Sequence, residues 1–189
     1  LTTTLADAQD LVATVRRTGR LLGVTYNYTG YPIVREARAL IEAGELGAVR
    51  VVQVEFALGW LSGPSEAESK QAAWRTDPAQ SGPSFIVGDL GTHCFHLSEF
   101  ITGRRVAALA ANLQTMVPGR RLEDNAHILL RYDNGAHGAM WVSAVAAGEQ
   151  VRDRLRLNRR RGLVTDRTHR PEDVFRQAEL GEGNVLDRR

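Results

Sequence analysis

The sequence predicts an α+β domain, built as an open, predominantly antiparallel sheet covered by helices on one face. Apolar residues recur at helical spacing in residues 4–18 and again from Tyr31. After residue 105 the pattern changes to short alternating runs, which turn signals rather than helices separate. Consecutive strands joined by turns pair antiparallel, and the helices that precede them pack on one face of the sheet.

The first helix and the segment after it predict one half of an αβ unit. Thr4 is a suitable N-cap for a helix over residues 4–18, and Gly19 ends it. Residues 21–28, LLGVTYNY, form an apolar run that is typical of a buried strand. A helix that leads into such a strand closes an αβ unit, and the first half of that unit is not in this chain.

Periodicity and turn residues predict the remaining elements. These are a helix from Tyr31 with Pro32 in its first turn, a strand at 49–61, a long loop at 62–84, a helix at 87–100, and strands at 106–117, 125–133 and 136–146. Asn134-Gly135 is a strong hairpin signal between the last two strands. RLRLN and GLVTD predict two further paired strands, and DVFRQAEL predicts an edge strand.

Length and composition indicate one globular domain, or one domain plus a remnant of another, with neither a membrane nor a nucleic-acid partner. The 189 residues are 43% hydrophobic and 24% charged, and the single cysteine allows no internal disulfide. We expect a cytoplasmic protein, because neither a signal peptide nor an apolar run of membrane-spanning length is visible. The net charge is only +2, and the arginine-rich stretch at 152–161 lacks interleaved aromatic residues on which bases could stack. The missing initiator Met suggests trimming or truncation.

The segment GDLGTHCFHLSEF at 88–100 carries the candidate catalytic residues. Asp89, His93 and His96 are spaced i, i+4 and i+7, so a helix would present them on one face. A carboxylate one turn from an imidazole can fix its tautomer and raise its basicity, as a general base requires. Two alternatives stay open: Asp89 caps the helix beside two partly buried histidines, or the three residues bind a metal with His127 or His137 as a further ligand.

The long loop carries candidate substrate contacts. Trp74 offers a flat apolar face to a sugar ring, and Arg75 offers fixed donors to hydroxyls or a carboxylate. Trp74 could equally anchor its own loop, and Lys70 in the same loop could simply be solvated. No Gly-x-Gly-x-x-Gly opens a helix after a strand, so no dinucleotide site is visible in the sequence.

The chain resembles the glucose–fructose oxidoreductase, inositol dehydrogenase and MocA family in two motifs and in their order along the sequence. They are the Leu-Ile-x-x-Gly-x-Leu-Gly step at 40–47 and the spacing from Trp74-Arg75 to the Asp-x-x-x-His at 89–93. The resemblance covers nearly the whole chain. It implies that residues 1–28 are a remnant of a truncated nucleotide-binding (Rossmann) domain, and that residues 29–189 form the substrate-binding and oligomerisation domain.

The resemblance also implies an activity, namely hydride transfer between a sugar or cyclitol carbon and the nicotinamide of NAD or NADP. It assigns catalysis to Asp89 and His93. The site that we predict adds substrate contacts at Trp74, Arg75, Lys70 and His96 and a weak cofactor contact at Asn27, with no metal. The family's Glu-Lys-Pro lysine would fall just ahead of Leu1, so we expect this chain alone to be inactive and unable to hold NAD or NADP.

The implied partners are a small sugar or polyol and further copies of the chain, which would pair through the open sheet face. The chain departs from the family pattern in several places. Thr29 replaces an arginine, His96 replaces an aspartate, and Gly82-Pro83-Ser84 replaces a glycine run, while the final stretch from RLNRRRGLVTD onward matches the family only loosely. The alternatives to a dehydrogenase are a non-catalytic sugar-binding or assembly module, and a metal-dependent enzyme that uses Asp89, His93 and His96.

Overall fold

The computed structural model describes residues 2–148 in full and the backbone of residues 152–159 and 162–167. Its helices are α1 (Leu5–Thr18), α2 (Pro32–Glu42), α3 (Lys70–Thr76), α4 (Pro78–Ser81) and α5 (Thr92–Thr102). Its strands are β1 (Val51–Ala57), β2 (Val106–Gln114), β3 (Asn125–Tyr132), β4 (His137–Ser143), β5 (Arg152–Arg159) and β6 (Gly162–Arg167). The predicted α+β class is confirmed.

The six described strands form one mixed sheet in the order β2-β3-β4-β1-β5-β6. Neighbouring strands pair antiparallel except β1 and β4, which run parallel from Val51–His137 to Ala57–Ser143. The parallel pair was not predicted from the sequence. It arises because the chain leaves β1, passes through helices and the β2–β3 hairpin, and returns in β4 beside its starting point. The edge strand predicted in DVFRQAEL lies outside the described residues.

The two faces of the sheet differ in burial. Val54, Ile128 and Met140 lie side by side on one face and are buried against the helices, with Leu97 and Ile101 of α5 in the same core. The adjacent row on the opposite face, Ala110, Leu129, Ala139 and Gln53, belongs to an open surface on which Leu129 is 66% exposed. Period-two alternation in the sequence therefore matches the division between core and open face.

Helix boundaries follow the predicted capping residues. The Thr4 side chain accepts a hydrogen bond from the Asp7 amide at the start of α1, and Gly19 ends α1 at φ 65°. Pro32 occupies the first turn of α2. Gly103 ends α5 with φ 63°, a left-handed conformation that glycine adopts without steric cost. In the described part of the chain, no helix combines the length and the hydropathy that a bilayer crossing requires.

The strand predicted at residues 21–28 is wrong. Residues 19–26 have no regular secondary structure, and Asn27–Gly30 form a single 3₁₀ turn. Leu21 is fully exposed, Leu22 and Val24 are about half exposed, and α1 buries no residue. A strand requires a neighbouring strand to pair its backbone amides and carbonyls, and no described strand lies beside this segment.

The loop predicted at 62–84 contains two short helices. Ser69 caps α3 by accepting a hydrogen bond from the Ala72 amide, and Asp77 caps α4 by accepting one from the Ala79 amide. These caps are local side-chain signals within a stretch too short to show helical periodicity. The helix α3 therefore carries Trp74 and Arg75 of the candidate site.

Two acidic residues ahead of β3 fix the elements around the site. Glu123 accepts hydrogen bonds from the Phe85 and Val87 amides at 3.1 and 3.2 Å, and so caps the helical segment that leads into α5. The fully buried Asp124 pairs with Arg120 at 3.0 Å, and Arg120 also pairs with Glu66 at 2.6 Å. This buried network fastens the β1–α3 connection to the start of β3.

Candidate functional site

A π-helical turn, Val87–Gly91, precedes α5 and carries Asp89. The wider turn places Asp89 differently from the regular α-helical position that the i, i+4 spacing assumes. Insertions of this kind occur frequently at functional sites, where they aim a side chain. Asp89 thus turns toward α3, while His93 and His96 project from α5 toward the segment that precedes α2.

Asp89 forms an ion pair with Arg75 of α3. The Arg75 Nε donates to Asp89 Oδ2 at 2.8 Å, and both side chains are partly exposed. Arg75 Nη1 donates to the backbone carbonyl and the side-chain oxygen of Gln71 at 3.2 and 2.6 Å. Asp89 is therefore held by arginine, and no hydrogen bond joins it to His93 among the described residues.

His93 lies against two tyrosines that the sequence analysis did not single out as site residues. The imidazole meets Tyr28 and Tyr26 edge to face, with ring centroids 5.0 and 5.5 Å apart. Its Nδ1 is buried without a hydrogen-bond partner among the described residues. Burial lowers the pKa of His93, and the negative charge of Asp89 raises it by a smaller amount. His93 is accordingly a neutral base at pH 7.

His96 is a stacking residue in this structure. Its ring lies nearly parallel to that of Tyr26, with centroids 4.0 Å apart, and also stacks on Phe100 at 6.1 Å, and the Arg38 guanidinium lies 4.6 Å from the Phe100 ring centroid. Burial lowers the pKa of His96, while Glu99 raises it and His93 lowers it further. These contacts attach the segment around Tyr26 to α5.

Two exposed tryptophans surround Arg75. The guanidinium carbon lies 4.2 Å from the Trp74 ring centroid and 6.0 Å from that of Trp60. Trp60 follows β1 and was missed by the sequence analysis, because its distance from Arg75 along the chain hides their proximity. Lys70 begins α3 and is exposed, without an ion pair in the described part of the chain.

The described residues do not by themselves form a dinucleotide site. Asn27, the predicted cofactor contact, is exposed in the 3₁₀ turn between the two tyrosines that touch His93. No glycine-rich turn links a strand to a helix N-terminus here, although that arrangement is what holds a pyrophosphate in nucleotide-binding folds.

Metal binding has no geometric support in residues 2–148. No three histidine, cysteine, aspartate or glutamate side chains in the described chain are placed to hold a metal ion. Asp89 is occupied by Arg75, and His96 is stacked on Tyr26. His127 and His137, the further ligands considered from sequence, lie on β3 and β4 at the open sheet face.

A separate concavity of about 470 Å³ lies on the open face of the sheet. Trp141 and His127 stack within it at 6.0 Å, and Trp141 Nε1 donates to Asn125 at 2.9 Å. Glu55 and Leu129 also line it. The sheet separates this surface from Asp89 and His93, which lie among the helices.

Comparison with known proteins settles the family. Residues 34–165 match the model of the GFO/IDH/MocA C-terminal domain. The chain is also 35% identical over 189 residues to the uncharacterized oxidoreductase YfiI of Bacillus subtilis, covering 98% of this chain and 48% of that protein. The chain belongs to the GFO/IDH/MocA family. The predicted membership is confirmed.

Other family members extend the comparison to named activities. A D-apiose dehydrogenase of Rhizobium rhizogenes is 32% identical over 74% of this chain and 37% of its own length. An inositol dehydrogenase homolog from Azotobacter vinelandii, solved with NAD⁺, is 40% identical with a TM-score of 0.82, over 86% of this chain and 42% of that one. The chain spans less than half the length of these relatives.

Proposed function

We propose that this chain is the substrate-binding part of an NAD(P)-dependent oxidoreductase that acts on a sugar, a sugar derivative or a cyclitol. The observation that carries the proposal is the placement of a neutral His93 beside the Asp89–Arg75 ion pair, in a family whose named members are dehydrogenases. A relative solved with NADH and myo-inositol, 38% identical with a TM-score of 0.78, supports the cyclitol alternative.

His93 acts as the acid/base group for a substrate hydroxyl. Oxidation of an alcohol removes the hydroxyl proton as the carbon gives up hydride, and a base in reach of that proton lowers the barrier. Burial against Tyr26 and Tyr28 keeps His93 neutral and able to accept the proton. In the reverse reaction the resulting imidazolium returns the proton to the carbonyl oxygen.

Asp89 sets the electrostatics of this proton transfer. Its negative charge favours the imidazolium that forms on His93, and its bond to Arg75 keeps the carboxylate in one orientation. Arg75 is itself hydrogen-bonded to Gln71, so α3 supplies both groups that orient the Asp89 carboxylate. Asp89 therefore tunes His93 through charge rather than through a direct hydrogen bond.

When bound, NAD or NADP would supply the hydride acceptor or donor, and we propose that a nucleotide-binding domain outside these residues would hold it. Residues 1–28 are its closing helix and an extended segment that becomes a strand when a neighbouring strand pairs with it. The fully exposed Leu21 and the lack of any buried residue in α1 support this assignment, since both surfaces suit burial against further sheet and helix.

We also propose that two copies of the chain pair through the open sheet face. Leu129 and Val51 are exposed there, beside the concavity that contains Trp141 and His127. An exposed sheet face with large apolar and aromatic side chains is characteristic of an interface.

Coenzyme reduction tests the proposed function. We would join a family nucleotide-binding domain ahead of Leu1 and follow reduction of NAD⁺ and NADP⁺ against a panel of sugars and cyclitols. The chimera should turn over at least one substrate, while the 189-residue chain should neither turn over nor bind the coenzyme in a calorimetric titration. Sugar binding without turnover in a chimera that binds NAD would favour the non-catalytic module.

A further inference from the structure

The surface beside Asp89 has an aromatic wall that the proton-transfer chemistry does not use. Trp60 and Trp74 are 45% and 36% exposed, and both rings lie near the Arg75 guanidinium. Large apolar rings left in water cost free energy, so two of them around one polar group indicate a ligand surface. The C–H face of a six-membered polyol ring is complementary to such a wall.

The cation in this wall is already neutralised. Arg75 gives its Nε to Asp89 and its Nη1 to Gln71, and within the described chain only its Nη2 remains without an acceptor. A guanidinium that is paired with a carboxylate can still donate one hydrogen bond to a hydroxyl. It offers little net charge to an anion, which would also approach the Asp89 carboxylate.

Neighbouring basic groups do not replace that charge. Burial lowers the pKa of His93 and of His96, so both are neutral at pH 7. Arg121 of the β2–β3 connection pairs with Asp77 at 3.2 Å. Lys70 lies five residues before Arg75 on α3, which corresponds to about 7.5 Å of rise and about 140° of rotation from it.

We propose that Trp60, Trp74 and Arg75 form a subsite that accepts an uncharged ring-shaped polyol and excludes its carboxylated or phosphorylated counterparts. The subsite rests on the proposed function and narrows its substrate class by charge. The tryptophan rings stack on the C–H face of the ring, and Arg75 Nη2 donates to one of its hydroxyl oxygens. A carboxylate or phosphate at that position would be desolvated beside Asp89 without a free cation to pair with.

Tryptophan fluorescence of the 189-residue chain tests this directly. Trp141 lies on the opposite face of the sheet, so a Trp141→Phe background leaves Trp60 and Trp74 as the only tryptophan reporters. The probes are matched pairs: myo-inositol with myo-inositol 1-phosphate, and D-glucose with D-glucuronate and D-glucose 6-phosphate. Neutral members should quench the fluorescence, and charged members should bind about tenfold more weakly or not at all.

The Asp89→Asn variant tests the charge argument more specifically. It leaves the Arg75 charge unpaired, so the affinity for glucuronate should rise about tenfold while the affinity for glucose changes little. Glu42→Gln, which frees Arg38 outside the subsite, is the matched control and should leave every probe unchanged. Tighter binding of a charged member to the wild type would overturn the proposal, as would an unchanged preference in Asp89→Asn. If no probe quenches the fluorescence the subsite is refuted, whereas the dehydrogenase assay of the chimera decides the proposed function separately.

Discussion

Arg75 and Asp89 are joined by a 2.8 Å hydrogen bond across α3 and the π-helical turn, 14 residues apart in the chain. A carboxylate one helical turn from a histidine could either hydrogen-bond to the imidazole or act on it electrostatically, and this ion pair distinguishes the two roles. Asp89 is oriented by arginine, and it acts on His93 through its charge alone. The pH dependence of catalysis should therefore respond in opposite directions to removal of either partner.

We predict that Asp89→Asn moves the acidic limb of the kcat/KM profile of the chimera to lower pH. The negative charge raises the pKa of His93, so its loss lowers that pKa and the base form persists further into acid. Arg75→Gln should move the same limb to higher pH, since it leaves Asp89 uncompensated. Shifts of the same sign in the two variants would mean that Asp89 does not tune His93.

The buried arginine network should dominate stability. Arg120→Met should lower the free energy of unfolding by about 3–5 kcal/mol, because it leaves the fully buried Asp124 without its cation. Arg38→Met, which breaks a more exposed pair with Glu42, should cost less than about 1 kcal/mol. Urea denaturation measures both values. Equal losses in the two variants would contradict the structural role given to Arg120.

The stability of the 189-residue chain should fall on mild acidification. The folded pKa values of His93 and His96 lie below 6.5, the value expected in the unfolded chain, because both rings are desolvated. Below pH 6.5 the unfolded state therefore binds more protons, so the stabilisation is complete above that pH and is lost as the pH falls. The urea midpoint of a His93→Gln, His96→Gln double variant should therefore change less between pH 7 and pH 5 than that of the wild type. An equal change in both proteins would refute the lowered pKa values of the two histidines.

Copies of the chain should associate through the open sheet face. Leu129→Arg should convert a dimer or larger oligomer to monomer in sedimentation, because it places a charge in the apolar row beside Ala110 and Ala139. Glu45→Arg, at an exposed position after α2, is the control and should leave the mass unchanged. A wild-type chain that sediments as a monomer at all accessible concentrations would count against this interface.

Local patterns predicted much of the fold. The alternation in β1, β3 and β4 follows directly from one buried and one open face, and Asn134-Gly135 forms the predicted hairpin with Gly135 at φ 80°. Caps at Thr4 and Gly19 depend only on neighbours within a turn. Such features need no knowledge of the rest of the chain, so sequence alone is sufficient for them.

Features that depend on distant residues were not predictable. The parallel pairing of β1 with β4 brings together strands some 80 residues apart. The apolar run at 21–28 has the composition of a strand but no partner among the described strands, so the strand predicted from its composition does not form. Likewise, no local pattern shows that Tyr26 and Tyr28 cover His93, or that Arg75 reaches Asp89. All the predicted site roles stay predictions, namely catalysis by Asp89 and His93, substrate contact by Trp74, Arg75, Lys70 and His96, and cofactor contact by Asn27.

The turnover of His93 variants is the most direct test of the proposal that His93 is the acid/base group for the substrate hydroxyl. In the chimera, His93→Ala should lower kcat by roughly 10²–10⁴-fold, the usual contribution of a positioned proton-transfer group. Coenzyme affinity should be unchanged, because the proposal assigns the dinucleotide to the other domain. His127→Ala, on the opposite face of the sheet, should retain full turnover. Near-normal kcat in His93→Ala, with NAD still bound and the substrate still oxidised, would show that His93 is not the acid/base group.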